Sequence, residues 1–281
     1  MFDTYENGKC IGGAPFNFSA HIARNGMEAY LLSAIGNDVL GMEAIEKVKQ
    51  YGVITDFIHV HSHYNTGECR VTLDNNGIPN YNLVTDVAYD HIPLPTGLQN
   101  YHFDAFYFGT LALRSVQNKE TVQAILNFKN YNEVFVDMNI RKPFCSLESM
   151  QLALDNATIL KVSDEELPTV MNEVFGLGNY SSDEMFSHIS IRSPKIKLII
   201  VTCGAEGSLA YDTINQKKYQ CDAVHTDVVS TVGAGDSFSA SFLAHYLKNY
   251  NIYECLAYAS KVSAYVVSQK EAIPEMKGKC L

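Results

Sequence analysis

Ser230-Thr231-Val232-Gly233-Ala234-Gly235-Asp236-Ser237-Phe238 sets two glycines and an alanine just ahead of an apolar helical pattern. Phe238, Phe242 and Tyr246 fall four apart with Leu243 and Leu247 beside them, which predicts a helix over 236–248 buried along one face. Small residues at such a turn let successive backbone N–H groups point at one spot, and the helix N-terminus adds partial positive charge there. Charge building on a transferring phosphoryl group suits that geometry, and a carboxylate at Asp236 can accept a hydroxyl proton. A tight turn with Asp236 capping the helix explains the same residues, and on this segment alone the two accounts stand level. The G-K-[ST] ending of a Walker A loop is absent.

Upstream, near-continuous apolar runs of strand length alternate with amphipathic ones. Residues 30–35, 105–108, 133–137, 158–162 and 197–202 predict buried strands; 17–25, 42–51, 119–130, 183–191 and 252–269 predict helices. That alternation implies an α/β fold, a mostly parallel sheet with helices on both faces. From Asp56 to Asp86 the pattern changes to period two, with Asn75-Asn76-Gly77 as a hairpin signal. A small antiparallel sheet inserted at about 56–90 is expected, a candidate lid on a single domain spanning 1–281.

The chain has 281 residues, 47% of them hydrophobic, enough for a large core. With 21 Lys plus Arg against 31 Asp plus Glu, the net charge is −10, which disfavours nucleic acid and anionic membrane as partners. Any anionic ligand must be held by local donors. Seven cysteines without a C-x-x-C pair speak against a disulfide framework or structural zinc and fit a reducing cytoplasm. No apolar run approaches the ~18 residues of a membrane span, and no signal-peptide pattern opens the chain.

Two further glycine segments carry weaker signals. Gly12-Gly13-Ala14-Pro15-Phe16-Asn17 allows close backbone approach to a ligand, and the Asn17 amide suits a sugar hydroxyl. Gly36-Asn37-Asp38 with Gly41 reads more readily as a helix cap than as a site. His59, His61 and His63 would share one strand face; a polar face of the lid explains them better than a metal comb. Cys203 reads as a small buried hydrophobe, and Lys161 either approaches phosphates or is solvated. The many Tyr and Phe residues read as core.

Gly12–Asn17, Gly36–Gly41 and Gly233–Asp236 occur in the order and spacing of the ribokinase-like, or PfkB, carbohydrate kinases. The chain resembles that family over essentially its whole length. Gly12–Asn17, Phe108-Gly109-Thr110-Leu111-Ala112-Leu113-Arg114 and Asp137-Met138-Asn139-Ile140-Arg141 resemble the fructokinase subtype. The resemblance implies a three-layer α/β/α sandwich with a β lid that closes over the sugar near Thr66-Gly67. It also implies ATP-dependent phosphorylation of a sugar hydroxyl, with D-fructose the expected acceptor. Asp236 would be the general base and Gly233, Ala234 and Gly235 the anion hole, with Arg141 near the reacting groups. Gly12, Gly13, Asn17, Asp137 and Asn139 would lie on the sugar side. Thr202, Gly204, Gly207, Ser163, Glu166 and Ser260 would lie on the nucleotide side, with Glu166 organising magnesium through water. Homodimerisation through the lid is a further implication.

The sequence departs from the family pattern in three places. The family opens with a strand carrying Gly-Glu and a sugar-holding Asp, whereas Met1-Phe2-Asp3 reads as beginning after that strand; a truncated gene model is the simplest account, and Asp3 is not given the role. Loss of that central strand would bare neighbouring edges. Ser230 replaces an Asp of the monovalent-cation site, removing its charge, so potassium activation is not expected. Ser163 replaces the Asn of the N-x-x-E motif. Kinases of the same family acting on ribose, nucleosides or keto-deoxy sugar acids, and a non-catalytic sugar- or nucleotide-binding homologue, are the alternatives.

Overall fold

The computed structural model describes residues 1–5, 8–73 and 79–275. Twelve strands and eight helices occur among them. In chain order they are β1 (Phe2–Tyr5), β2 (Gly8–Ile11), α1 (Ala14–Arg24), β3 (Ser33–Gly36), α2 (Val39–Gln50), β4 (Ile58–His61), β5 (Glu68–Leu73) and β6 (Pro79–Leu83). Then come β7 (Phe103–Gly109), α3 (Val116–Phe128), β8 (Tyr131–Asp137), α4 (Leu147–Asn156), β9 (Ile159–Ser163), α5 (Leu167–Phe175), α6 (Ser182–Arg192) and β10 (Leu198–Thr202). The chain continues through β11 (Ser208–Asp212), β12 (Lys217–Cys221), α7 (Ala234–Leu247) and α8 (Ile252–Val267).

The main sheet runs β12-β11-β10-β9-β8-β7. Strands β7 to β10 are parallel; β11 and β12 turn back antiparallel. Side chains that alternate along each strand divide the core into two. Val134, Val136, Leu160, Val162, Ile199 and Val201 pack with residues of α3 to α6 on one face. Phe135, Ile159, Leu198 and Ile200 pack with α1, α7 and α8 on the other. Three layers follow, as expected of strands buried on both sides.

A separate four-stranded sheet has the order β2-β1-β5-β6. It differs from the expected insertion at 56–90. The β1–β2 hairpin at the start of the chain supplies half of it, with β1 parallel to β5. β4, expected within it, instead pairs parallel with β3, Ser33 opposite Ile58. The period-two pattern of Phe57, Ile58 and Val60 is equally that of a half-buried edge strand, so alternation could not tell the two sheets apart. β5 and β6 pair antiparallel as expected, while the turn at Asn75-Asn76-Gly77 lies outside the described residues. Tyr30, expected in a strand, forms an isolated bridge to Ile54.

Among the described residues β3 pairs on one edge, with β4, and β7 on one edge, with β8. Between them runs an apolar slot of about 590 Å³, walled by residues such as Leu31, Leu32, Phe103 and Tyr107 and floored by Phe18 and Ile22 of α1.

Candidate active site

Gly109, Asp137, Ser163 and Thr202 end four parallel strands in register: Gly109 lies opposite Asp137, Asp137 opposite Lys161, and Thr202 opposite Ser163. Ligands in such sheets bind outside the carboxyl ends of the strands. The N-terminus of α7 comes down on the same edge. Gly233 caps it at φ 81°, a left-handed turn that glycine adopts without strain. Its pro-Cβ position lies 2.6 Å from the Ala272 Cβ, so no larger residue fits there.

The structure corrects two details of the expected anion hole. Ala234 N–H donates to the Thr231 carbonyl at 3.2 Å. The N–H groups of Gly235 and Asp236 have no acceptor among the described residues and are the donors left for an anion. Asp236 is not the cap either: Gly233 is, and Asp236 sits two residues past the helix's first, Ala234.

α1 starts at Ala14, with Gly13 as its cap at φ 106°. One turn in, buried Asn17 donates Nδ2–H to Asp236 Oδ2 at 2.8 Å, joining residues 219 apart in the chain. The Asn17 Oδ1 is buried without a partner among the described residues. Burial pushes the Asp236 carboxyl up to about 6, against the pull of the Asn17 hydrogen bond; Asp137 raises it further, and Lys161 and Arg141 lower it. A carboxyl so placed takes up a proton near neutrality, as a general base must.

Lys161 is buried, which removes the solvated alternative. Its ammonium lies 3.1 Å from Asp137 Oδ1, and Ser239 of α7 donates to Asp137 Oδ2 at 3.0 Å. Burial acts against both charges and pushes the Asp137 carboxyl up, while Asp137 opposite holds the ammonium above the ordinary lysine range. The sequence signal was there: a lysine inside the apolar run Ile159-Leu160-Lys161-Val162 of a doubly buried strand must be paired.

Asp137 thus lies beneath the site, its two oxygens used within the protein. Asn139, φ 38°, lines with Gly12, Gly13 and Gly109 a cavity of about 160 Å³. Asp137 O approaches the pro-Cβ position of Gly109 to 3.1 Å, a tight contact that a larger residue would have to push back. Asp3, to which no role was given, points over this wall: its Oδ2 lies 2.8 Å from the pro-Cβ position of Gly12, and burial raises its carboxyl. Arg141 is exposed just beyond.

In the turn after β10, expected on the nucleotide side, Gly204 and Gly207 adopt φ 51° and 99°, and Cys203 N–H donates to Gly207 O at 2.8 Å. Burial raises the Cys203 thiol, consistent with an unreactive small hydrophobe. Glu166 accepts from Ser163 N–H at 2.9 Å and Ile140 N–H at 2.5 Å, tying the ends of β8 and β9 together. Ser260 is buried on α8 facing Cys221, whereas Ser263, which the sequence gave no reason to choose, donates to Ala234 O at 3.1 Å. Among the described residues no cluster of three His, Cys, Asp or Glu can hold a metal ion. His59 and His61 do stack edge-on at 4.4 Å, but His61 Nε2 is engaged with His91 O.

The Gly36–Gly41 segment proves to be an anchor. Asp38 caps α2 through Gly41 N–H at 2.7 Å and binds Thr66 through its N–H at 2.7 Å and hydroxyl at 2.8 Å.

Residues 6–277 match the pfkB family carbohydrate kinase domain. Probable fructokinase-5 of Arabidopsis thaliana is 26% identical over 285 residues, covering 95% of this chain and 85% of its own. The 5-dehydro-2-deoxygluconokinase of Listeria innocua is 22% identical over 298 residues, covering 98% and 86%. The fold is similar to that of a Xylella fastidiosa fructokinase with bound ATP, at TM-score 0.85 and 19% identity over 97% of this chain and 91% of that one.

Proposed function

The chain belongs to the pfkB family of carbohydrate kinases, and on that premise we propose that it transfers the γ-phosphoryl group of ATP to a primary hydroxyl of D-fructose, giving fructose 6-phosphate. The observation that carries the site is the Asn17–Asp236 hydrogen bond, which brings the sugar-side glycine segment to the anion-binding turn. Asp236 takes the acceptor hydroxyl's proton as the oxygen attacks. The free N–H groups of Gly235 and Asp236, with the helix N-terminus behind them, stabilise charge on the transferring phosphoryl group; Arg141 adds positive charge from outside. Gly12, Gly13, Asn17, Asn139 and Asp3 hold the sugar. Thr202, Gly204 and Gly207 hold the nucleotide, with Ser163 and Ser260 at its margin. The sheet of β1, β2, β5 and β6 closes over the sugar and keeps water from the phosphoryl group.

Magnesium fits this donor set as an ion that arrives with the nucleotide. Such an ion keeps most of its waters and binds substrate phosphates with few protein ligands. Glu166 would hold it through water. When bound, it neutralises phosphate charge.

Fructose as acceptor is supported by the fructokinase-like segments and by the Arabidopsis relative. The Listeria relative supports a keto-deoxy sugar acid as the second reading. Ser163 and Ser230 support the third, a sugar- or nucleotide-binding protein without turnover, and Ser230 leaves no charge for a monovalent cation. Residence in the cytoplasm is supported by free thiols at Cys10, Cys69, Cys145, Cys203, Cys221 and Cys255. No helix among the described residues is long and apolar enough to cross a membrane. A homodimer through the small sheet belongs to the same proposal.

ADP release over a panel of fructose, ribose, a nucleoside and 5-dehydro-2-deoxygluconate tests the acceptor. Fructose is expected to give the highest kcat/KM. A preference for another acceptor would replace the substrate, and sugar binding by calorimetry without ADP release would replace the reaction.

A further inference from the structure

Lys161 has a single hydrogen-bond acceptor among the described residues, Asp137 Oδ1, although an ammonium carries three donors. It is not a surface group with water to spare: its side chain is 7% exposed and that of Asp137 1%. Nor does it lie apart from the reaction. The Nζ sits 3.3 Å from the pro-Cβ position of Gly235, directly beneath the turn that carries Asp236. Asp137 is held in turn by Ser239, one helical turn beyond Asp236 on α7. The pair therefore locks the ends of β8 and β9 to the helix of the general base. A buried ion pair is weak evidence for stability, since apolar residues of similar volume commonly serve as well.

We propose that Lys161 is a positioning residue for Asp236: fixed by Asp137, it places a permanent positive charge beneath the anion-binding turn and keeps the Asp236 carboxylate in the ionised, proton-accepting form. This rests on the reading of Asp236 as the general base. Every group facing Asp236 bears on it. From α1 comes the Asn17 amide, from β7 the Tyr107 hydroxyl, buried and without a partner among the described residues, from β8 Asp137, from β9 Lys161, and from the segment after β8 Arg141. From α8 the facing group is the neutral Ser263 hydroxyl, bonded to Ala234 O. Of these, Lys161 and Arg141 are the cations, and Lys161 is the buried one. Its charge is least screened. Asp137 acts on Asp236 in the opposite sense, so the two members of one ion pair pull its titration in opposite directions.

The test is a pH–kcat/KM profile of the full chain with Mg-ATP and the preferred sugar. Lys161→Met is expected to move the acid limb up by about one pH unit, lowering kcat about twofold at pH 7 and about tenfold well below pH 6, with both KM values within about twofold. Asp137→Asn is expected to move the limb down. Lys161→Arg, which keeps the charge, holds the limb in place. Where Lys161→Met fails to fold because Asp137 is left alone, the same step is read in the Asp137→Asn background, where no charge is stranded and the limb must rise again. The Asp236 titration is also followed without turnover through its carboxyl carbon resonance, identified by its loss in Asp236→Asn. An inactive wild type would sink the base assignment, and the resonance would still show whether Lys161 sets the charge. Limbs and resonance that stay put in both variants, or move in the same direction, overturn the proposal; so does a loss of kcat by Lys161→Met that is equal at every pH.

Discussion

Asp38 and Asp236 each follow a glycine-bearing turn, and each stands at the mouth of a helix, yet one is spent on the fold and the other is kept from it. Asp38 is the residue before the first turn of α2, extended at φ −136°, and its oxygens accept from Gly41 N–H, Thr66 N–H and the Thr66 hydroxyl. Burial alone would raise its carboxyl; those donors, from Thr66 and Gly41, overcome it and hold the group below the usual range. Asp236 lies three residues past its own cap, Gly233. From there its side chain cannot reach the first-turn amides as a cap does, and among the described residues its one side-chain hydrogen bond comes from Asn17. Its carboxyl is pushed up to about 6. A carboxylate saturated by donors has no use for a proton; one that is buried with few donors does.

The largest effect that separates the two is on turnover. Asp236→Asn keeps the shape and the Asn17 contact but removes the proton acceptor, and kcat is expected to fall by about 10²–10⁴-fold. Nucleotide binding, followed by calorimetry, should survive. A variant with full activity would place Asp236 with Asp38 among the structural carboxylates.

Asp38→Ala probes the other side. It strips a cap and leaves two Thr66 donors without their acceptor, at a cost of about 2–4 kcal/mol in unfolding free energy. In chemical denaturation the midpoint should drop accordingly, while kcat stays within about threefold. A collapse of kcat with unchanged stability would reverse the assignment.

Much of this contrast was legible in the chain. Asp38 lies three residues before Gly41, the spacing of a cap to its amide, and Asp236 is preceded by small residues on both sides of Ala234. The layers were legible too, because β7 to β10 are apolar on both faces. What decides each carboxylate's fate was not, because its partner is remote. Thr66 is 28 residues from Asp38 and Asn17 is 219 from Asp236. Only the resemblance to a known family put Asn17 and Asp236 in one site. The small sheet was misdrawn for the same reason. Period-two alternation marks a half-buried strand but not its neighbour, so β4 could not be told from a lid strand, nor could β1 and β2 be assigned to that lid.

The smallest effect is on stability against pH, and it tests whether Asp236 is held at a cost. Its folded value of about 6 lies above the ordinary 3.8. The folded state therefore binds the proton more tightly than the unfolded one, and the ionised form is the disfavoured one. The penalty is absent below pH 4, grows between pH 4 and 6, and is complete above 6. Asparagine carries no charge to bury, so Asp236→Asn should match the wild type near pH 4 and exceed it at pH 8. The full shift would correspond to about 3 kcal/mol; solvent reaching the half-buried side chain reduces the expected gain to about 1–2 kcal/mol. Asp38→Asn must show the opposite trend, a loss that grows as pH rises from the lowered folded value to the ordinary 3.8 and is complete above it, because the folded state favours the ionised form. Melting temperatures of the three proteins at about pH 2.5, 4, 6 and 8 measure both slopes, that of Asp38 below pH 4 and that of Asp236 above it. Parallel slopes would mean that the two helix mouths treat their carboxylates alike, and that the division between anchor and base has some other origin than hydrogen-bond saturation.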